Sequence, residues 1–397
     1  MTGTPTGRQA AALAFSIDPG CRVEFGAGCL TRLPDLVAGL GAHRAFVVTD
    51  RGLRAAGIVD LALKSLAAAG MEYGVYDGVG PNPSTTNVDE GAARARSFGA
   101  AAVVALGGGS VLDAAKGIAL LASNPGATAA DAGSLWSGAD GRLVVAVPTT
   151  SGTGAETNGF GVIEDTCAHR KVYLGHRSVT PRVALLDPEL TLGLPAPVTA
   201  ATGIDALVHG IESLASRGAN PISVAYATQA ITMVSQWLVP AYRDGADLEA
   251  RAQLMLGAHL AGQALTISGL GLVHGIGHSL TAHTGTPHGV ALAAVLEEVM
   301  AFSAPAARQP FEQAARAMRV QPPRHPAGAD GDWAAAAIGA VREVSGAIDV
   351  KRPLRELRVD RDMLPSIAAV AVADAVTANA PLFPSGAEVL RILESVY

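Results

Sequence analysis

The stretch Ala101-Ala-Val-Val-Ala-Leu-Gly-Gly-Gly-Ser110 decides the fold of this chain. A short apolar run, typical of a buried strand, passes directly into three glycines and a serine, and a helical pattern with Asp113 and Lys116 follows. Glycines let a ligand approach the backbone closely, and the N–H groups at a helix start attract anions. We therefore interpret Gly107, Gly108, Gly109 and Ser110 as a pyrophosphate site, with a plain glycine turn as the alternative.

Apolar runs of the same kind recur on both sides of this stretch, and helical patterns separate them. Strands are predicted at Arg44–Thr49, Met71–Tyr76, Ala101–Leu106 and Leu143–Val147, and helices at Leu53–Gly70 and Thr86–Gly99. This alternation predicts a parallel sheet covered by helices. After Asp187-Pro-Glu-Leu190 the apolar spacing becomes helical, so we predict an α/β domain at residues 1–190 and a helical domain at residues 191–397.

Length and composition narrow the class of protein. A chain of 397 residues is too long for one ordinary core, and its net charge of -6 argues against a nucleic-acid partner. No apolar run approaches the roughly 20 residues of a membrane span, so no membrane partner is expected. Met1 to Ala14 lacks the pattern of a signal peptide. Three cysteines without metal-type spacing fit a reduced, cytoplasmic compartment.

The histidines are concentrated in one part of the chain. Six of the ten fall between residues 209 and 288, and Asp205 stands four residues before His209 on a predicted helix. Residues four apart share a helix face, so this pair can hold one ion together. With His274 and His288 added, one carboxylate and three imidazoles suit Fe or Zn and leave room for a substrate oxygen. A lone histidine is more often a core residue, but the joint spacing favours a metal site.

Further candidate cofactor residues follow two other strands. Thr149, Thr150 and Thr153 lie in a glycine-rich turn after a strand, where they can bind ribose or the nicotinamide amide; a turn that caps a helix is the alternative. Asp50 can accept hydrogen bonds from an adenosine ribose and would repel the 2′-phosphate of NADP, which favours NAD. A solvated turn residue is the alternative reading of Asp50. Gly26-Ala-Gly28 is interpreted as a turn before a helix.

Together these motifs resemble the iron-containing (group III) alcohol dehydrogenases. The matching stretches are Gly107–Lys116, Pro148–Glu156, Asp187–Leu190, Asp205-x3-His209 and His274-x3-His278-x9-His288-Gly289. Their order covers roughly residues 25 to 305, and residues 353–373 look like the final helices of the family.

The resemblance implies a Rossmann-like N-terminal domain and an all-α C-terminal domain, the dehydroquinate synthase-like architecture, with the active site between them. It implies the metal ligands Asp205, His209, His274 and His288. It places His278 beside the metal as a proton carrier. Family cofactor positions fall on Asp50, Gly108, Gly109, Ser110, Thr149, Thr150, Thr153 and Lys171. The cofactors would be Fe²⁺, with Zn²⁺ as the alternative, and NAD rather than NADP, in a homodimer.

The activity that follows is reversible hydride transfer between NAD and a small primary alcohol or aldehyde, which can bear an acid or phosphonate group. An anionic substrate would need a cation near the metal, for which Lys171, Arg177 and Arg182 are candidates. The alternatives are a lyase or polyol dehydrogenase of the dehydroquinate synthase-like group, a maleylacetate-reductase-like oxo-acid reductase, a hydroxyacid–oxoacid transhydrogenase and a degenerate cofactor-binding regulatory protein.

The chain departs from the common family pattern at four places. These are Leu265, where many members have an aromatic residue, Leu296-Glu297-Glu298, His283 and Asn379-Ala-Pro-Leu382. We expect the changes to lie around the substrate, with His283 read as a loop residue rather than a substrate contact.

Overall fold

The computed structural model describes residues 20–165, 170–322 and 332–397. The segment Met1 to Ala14, for which no signal peptide is predicted, lies outside these ranges. Eight strands are present in the described residues: β1 (Arg22–Phe25), β2 (Arg44–Val48), β3 (Glu72–Tyr76), β4 (Ala102–Gly107), β5 (Leu143–Pro148), β6 (Phe160–Asp165), β7 (Arg170–Gly175) and β8 (Val183–Leu186).

Six of these strands form one sheet in the order β1-β8-β5-β4-β2-β3, and every pairing in it is parallel. The predicted parallel sheet is therefore confirmed. The sequence reading missed β1 and β8 because each has four residues, too short for a periodic pattern. The remaining pair, β6 and β7, forms an antiparallel hairpin apart from the sheet.

Fifteen α-helices accompany the strands in the described residues. They are α1 (Leu33–Gly39), α2 (Arg51–Ala55), α3 (Ile58–Ala68), α4 (Thr85–Phe98), α5 (Gly109–Ser123), α6 (Ala132–Leu135), α7 (Ala196–Ala215), α8 (Pro221–Arg243), α9 (Leu248–Ser268), α10 (Leu272–Thr284), α11 (His288–Ser303), α12 (Arg308–Ala317), α13 (Trp333–Ala347), α14 (Leu364–Ala373) and α15 (Gly386–Ser395). The single helix predicted at Leu53–Gly70 is wrong. Gly57, with φ of 77°, separates α2 from α3, since a left-handed residue ends one helix before the next begins.

The sheet is buried on both faces, as the continuous apolar strands require. Alternate residues face opposite sides, so Val47 and Val104 pack in one core while Val48 and Val103 pack in the other. Helices α4 and α5 cover the second of these faces. The covered sheet leaves the carboxyl ends of its strands available for loops that bind ligands.

The second half of the chain is helical. No strand follows Leu186 in the described residues, and α7 begins at Ala196. One large core joins the helices from α7 to α15. The division at residue 190 lies within this transition, and we retain it as a proposal. No single described helix has the length and apolarity to cross a membrane; α9 and α10 meet that test only as a pair bent by 103°.

A close contact joins the two halves beside the threonine-rich turn. Gly154 has φ of 62°, and a Cβ built there would collide with the backbone of Gly262 on α9. Thr157, three residues after Gly154, bonds through its hydroxyl to the hydroxyl of Thr266 on the same helix, at 2.9 Å. The turn after β5 is therefore fixed directly against the helical half.

Candidate active site

A cavity of about 530 Å³ lies where the loops of the sheet meet the helical half. Nine residues proposed from the sequence line it: Gly109, Ser110, Thr153 and Lys171 from the first half, and Asp205, His209, His274, His278 and His288 from the second. Five others do not line it: Asp50, Gly107, Gly108, Thr149 and Thr150. The structure thus brings the phosphate loop and the histidine cluster to one cleft.

The four proposed metal ligands come from three helices, and three of them are imidazoles that surround one carboxylate oxygen of the fourth, Asp205. Asp205 Oδ1 lies 3.3 Å from Nε2 of His209, 3.5 Å from Nε2 of His274 and 3.9 Å from Nε2 of His288. Donors held at about 2.1 Å by a tetrahedral ion stand roughly 3.4 Å apart. The separations of Asp205 from His209 and His274 are close to that value, and the donor atoms of these three residues all lie within 4.8 Å of one another; the nitrogen of His288 lies further away.

Two buried atoms in this cluster have no hydrogen-bond partner. They are Asp205 Oδ1 and His274 Nε2, and both side chains are at least nine-tenths buried. A buried polar atom without a partner is costly, so such atoms in a native fold call for an explanation. A divalent cation accepts both lone pairs, and the donor set of one carboxylate with three imidazoles fits Fe or Zn. The residues present therefore fit a metal.

The electrostatics of the cluster follow from burial. Burial lowers the pKa of His209 to about 4 and that of His288 to about 3, which keeps both imidazoles neutral, the form that binds metals. Burial alone would raise the pKa of Asp205, but the three imidazoles lower it below its usual range. Burial would also lower the pKa of His274, but the neighbouring carboxylates of Asp205 and Glu212 raise it to about 9.

Glu212 is a site residue that the sequence reading missed. Its Oε2 lies 2.6 Å from Nδ1 of His274, and its two oxygens accept the backbone N–H groups of Val273 and His274. It therefore caps the start of α10 and directs Nε2 of His274 toward Asp205. A signal was present, because Asp205, His209 and Glu212 stand at i, i+4 and i+7, which is one face of α7.

The proposed phosphate loop lies at the start of α5. Gly108 precedes the helix without a side-chain cap, so the first N–H groups of α5 are available to an anion. A Cβ added at Gly109 would lie 2.6 Å from the Thr153 side chain, and one at Gly108 would lie 3.3 Å from Thr150. A side chain at Gly109 would collide with the threonine turn, so the helix start and the turn lie close together and form a narrow cradle.

Asp50 lies at the carboxyl end of β2, next to β4 in the sheet. Its Oδ1 accepts the N–H of Leu53 at 2.9 Å and so caps α2. The chain crosses from β3 over to β4, on the other side of β2, so β2 and β4 flank a topological switch point, where sheets of this kind bind ligands. Asp50 thus stands at the edge of that crevice, outside the cavity itself.

His278 lines the cleft one helical turn after His274. Its Nδ1 lies 2.9 Å from Oδ2 of Asp374, a residue that the sequence reading did not single out. Tyr173 and Trp136, which line the cleft nearby, were also missed. Trp136 donates its indole N–H to the Tyr173 carbonyl at 3.3 Å. No sequence pattern links residues so far apart in the chain.

Of the four places where the chain departs from the common family pattern, one, at Leu265, lies on the cavity as expected. Leu265 lines the cleft, but Glu297 does not, because it pairs with Arg342 and Lys351 at 2.7 and 2.9 Å. Asn379 does not line the cavity either; it donates to the Ser216 hydroxyl and to the carbonyls of Ser268 and Leu270, of which Leu270 is a lining residue. The expectation that all four changes surround the substrate is therefore wrong.

His283 also lies outside the cavity, which agrees with its reading as a residue without substrate contact, although it is on α10 and not in a loop. Its ring nitrogens bond to the Ser279 carbonyl at 2.8 Å and to the Ser366 hydroxyl at 3.1 Å. These bonds give it a structural role between α10 and α14.

A cleft with a glycine-rich helix start on one wall and a carboxylate–imidazole cluster on the other is typical of an enzyme that binds an anionic cofactor beside a metal ion. Sequence comparison agrees. The family described as iron-containing alcohol dehydrogenase matches residues 20–188, and its C-terminal family matches residues 199–397. The chain belongs to the iron-containing alcohol dehydrogenase family. It is an oxidoreductase that interconverts alcohols and aldehydes.

Individual relatives agree with this family. The probable alcohol dehydrogenase EutG of Escherichia coli K12 is 41% identical over 71% of this chain and 71% of its own length. The 1,3-propanediol dehydrogenase of Citrobacter freundii is 35% identical over 94% of this chain and 96% of its own. The crystal structure of sulfoacetaldehyde reductase from Bifidobacterium kashiwanohense with NAD+ has a TM-score of 0.86 at 25% identity, covering 97% and 99% of the two chains.

The contacts of Glu212 generate a prediction. Glu212→Gln should lower the affinity for a divalent metal by roughly 10- to 100-fold, because the ring of His274 loses its charged acceptor. Titration against a chromogenic chelator measures this affinity. Glu249→Gln, an exposed change at the start of α9, is the matched control and should bind metal as the parent does. An unchanged affinity in Glu212→Gln would contradict the assigned role.

Proposed function

We propose that the chain is an Fe²⁺-dependent, NAD(H)-linked alcohol dehydrogenase, with Asp205, His209, His274 and His288 as the metal ligands. The convergence of three imidazole nitrogens on the unpartnered Oδ1 of Asp205 carries this proposal. The bound ion would supply Lewis-acid stabilisation of negative charge on the substrate oxygen. His274 is then catalytic as a ligand, and Glu212 orients it.

NAD would be held by residues at the carboxyl ends of β2, β4 and β5, together with Lys171 on β7. We propose that Gly107, Gly108, Gly109 and Ser110 bind the pyrophosphate, while Thr149, Thr150, Thr153 and Lys171 bind the nicotinamide half and Asp50 the adenosine ribose. The open helix start at Gly109 supports the first assignment. A carboxylate at the adenosine ribose supports NAD over NADP. Two domains divided at residue 190, a cytoplasmic location and a homodimer complete the proposal.

His278 is the proposed proton carrier. It lines the cleft beside the ligands, and its ring stacks on that of His288 with centroids 5.4 Å apart. Its side chain is 19% exposed, so a proton can pass between the cleft and solvent. An imidazole in such a position can exchange the hydroxyl proton of the substrate.

The lining around the proposed metal supports an uncharged substrate. Leu265, Leu270, Val376 and Trp136 are apolar members of the lining of the cavity that holds the proposed ligands. Among the described residues that line the cavity, Lys171 is the single lysine or arginine, and its Nζ lies 3.8 Å from the Glu164 carboxylate. Arg177 and Arg182 do not line it. The relatives are named for both an uncharged diol and a sulfonate-bearing aldehyde, and this cleft favours the uncharged kind.

The first test concerns the metal. His274→Ala should lose bound metal and lose roughly a thousandfold or more in turnover, since several kcal/mol of charge stabilisation go with the ion. Metal analysis and an NADH-linked assay measure the two losses, and circular dichroism should show an intact fold. His283→Ala, on the same helix but outside the cleft, should retain both properties. Full activity of a metal-free His274→Ala protein would refute the proposal.

The second test concerns the cofactor. Asp50→Ser should raise kcat/KM for NADP relative to NAD by about tenfold, equivalent to about 1.4 kcal/mol, because the charge that repels the 2′-phosphate is removed. Steady-state kinetics with both cofactors give the ratio. Asp60→Ser, an exposed change on α3, is the control and should leave it unchanged. If Asp50→Ser behaves like the control, Asp50 does not face the ribose.

The third test concerns the substrate. Butanal should be reduced with a kcat/KM at least about tenfold above that of 4-oxobutanoate, which has the same chain length but carries a carboxylate. The reason is that burying an unpaired carboxylate against apolar walls is unfavourable. NADH oxidation with each aldehyde gives the comparison. Equal or better use of 4-oxobutanoate would favour the oxo-acid alternative.

A further inference from the structure

We propose that Asp374 is a positioning residue that fixes which ring nitrogen of His278 faces the cleft, and that it acts in the reaction only through His278. This inference rests on the proposed role of His278 as proton carrier. Asp374 directly follows α14 and is 96 residues away from His278 in the chain. It does not line the cleft.

The two oxygens of Asp374 have different hydrogen bonds. Oδ2 lies 2.9 Å from Nδ1 of His278, and Oδ1 accepts the N–H of Val376 at 3.0 Å. An ionised carboxylate can only accept, so Nδ1 must carry the proton in this contact. Nε2 is then left for the substrate, without its own proton in the neutral ring.

The carboxylate of Asp374 is suited to this task. Its partial burial would raise its pKa, but the hydrogen bond from His278 lowers it, so the group remains ionised at neutral pH. A buried carboxylate that pairs with an imidazole holds the ring in one tautomer and stabilises the imidazolium that forms when the ring takes a proton.

Tyr173 is the competing partner for the same nitrogen. Its hydroxyl lies 3.5 Å from Nδ1 of His278, at the outer limit for a hydrogen bond, while the Asp374 oxygen is 0.6 Å closer and charged. Burial and the charge of Asp374 raise the pKa of Tyr173, which therefore stays a neutral phenol. Its ring meets that of His278 edge-on at 6.5 Å, so Tyr173 limits the ring's movement rather than its tautomer.

The segment that carries Asp374 is held firmly against α10. The Thr377 hydroxyl donates to the Ala371 carbonyl at 2.7 Å, and Thr377 packs so closely on Gly275 that no Cβ would fit there. Asn379 donates to the carbonyls of Ser268 and Leu270, just before α10 begins. The carboxylate therefore has little freedom to leave Nδ1 of His278.

The proton step can be written for alcohol oxidation. The substrate hydroxyl would give its proton to Nε2 of His278, and bound NAD+ would supply the acceptor for the hydride that leaves the carbon as the carbonyl forms. The resulting imidazolium keeps Nδ1–H on Asp374 and later releases the Nε2 proton to water. The sum is alcohol plus NAD+ giving aldehyde, NADH and one proton, so atoms and electrons balance.

Two substitutions separate the tautomer role from helix capping. In Asp374→Asn the side chain has one acceptor oxygen where the carboxylate has two. When that oxygen accepts the N–H of Val376, the NH2 group faces Nδ1 of His278 and favours the tautomer with the proton on Nε2. In Asp374→Ser the hydroxyl can still cap Val376 but is too short to reach His278. Both changes should keep the fold and disturb the ring.

Asp374→Asn and Asp374→Ser should each lower kcat by roughly tenfold or more, because a general base held in the wrong tautomer loses much of its contribution. KM for NADH and the metal content should stay within about twofold of the parent values. Asp362→Asn, an exposed change shortly before α14, is the matched control and should have parental kinetics. Thermal melting checks that the variants are folded.

A double-mutant cycle with His278→Gln provides the decisive comparison. If Asp374 acts through His278, then Asp374→Asn should have little further effect on kcat in a His278→Gln background. If the losses in kcat of the two single variants multiply in the double variant, the role of Asp374 is structural and the inference is overturned. The same holds if the losses in kcat follow a fall in metal content or in melting temperature. The inference would also be overturned if His278→Gln loses most of its kcat while both Asp374 variants keep the parental kcat. Parental turnover in His278→Gln would instead refute the proton carrier.

Discussion

The structure depends on one constraint, which is that the carboxylate of Asp205 is buried among three imidazoles and cannot be solvated. Its Oδ1 lacks a hydrogen-bond partner and faces Nε2 of His209, His274 and His288. A buried charge is stable only when other charges or dipoles compensate it. A divalent cation satisfies all four groups at once, so the helices that carry them must meet at one point.

Three helices of the second half, α7, α10 and α11, bring these four side chains together. Asp205 and His209 share a face of α7, and Glu212 on the same face reaches the start of α10, where it orients His274. His288, the last proposed ligand, follows Pro287 and is the first residue of α11. Each proposed ligand is thus fixed by a helix or by a helix end rather than by a mobile loop. Fixed donors suit a site in which geometry selects the metal.

The sheet half presents its loops to the same point from the other side. The parallel order places the ends of β2, β4 and β5 side by side, and the close contact of Gly154 with Gly262 fixes the threonine turn on α9. The proposed phosphate loop and the proposed metal ligands therefore line one cavity, although they lie far apart in the sequence. The C-terminal segment adds a third wall, because Val376 lines the cavity and Asp374 contacts His278.

Local patterns in the sequence determined much of this. The strand run into Gly107, the change of period near Leu190 and the i, i+4 pair of Asp205 and His209 are each set by neighbouring residues, because strand and helix periods repeat over a few positions. From them followed the parallel sheet, the helical second half and a hypothesis for the metal cluster. The break at Gly57 and the four-residue strands were missed because single glycines and very short runs carry little periodic signal.

Tertiary structure alone decided which distant residues meet. Glu297 was expected near the substrate but pairs with Arg342 and Lys351 elsewhere, whereas Trp136, Tyr173 and Val376 line the cleft without any sequence signal. Asp374 reaches His278 across 96 residues because α14 packs on α10. Such contacts arise from how helices pack, and packing depends on the summed shape of many side chains rather than on a spacing that one segment contains.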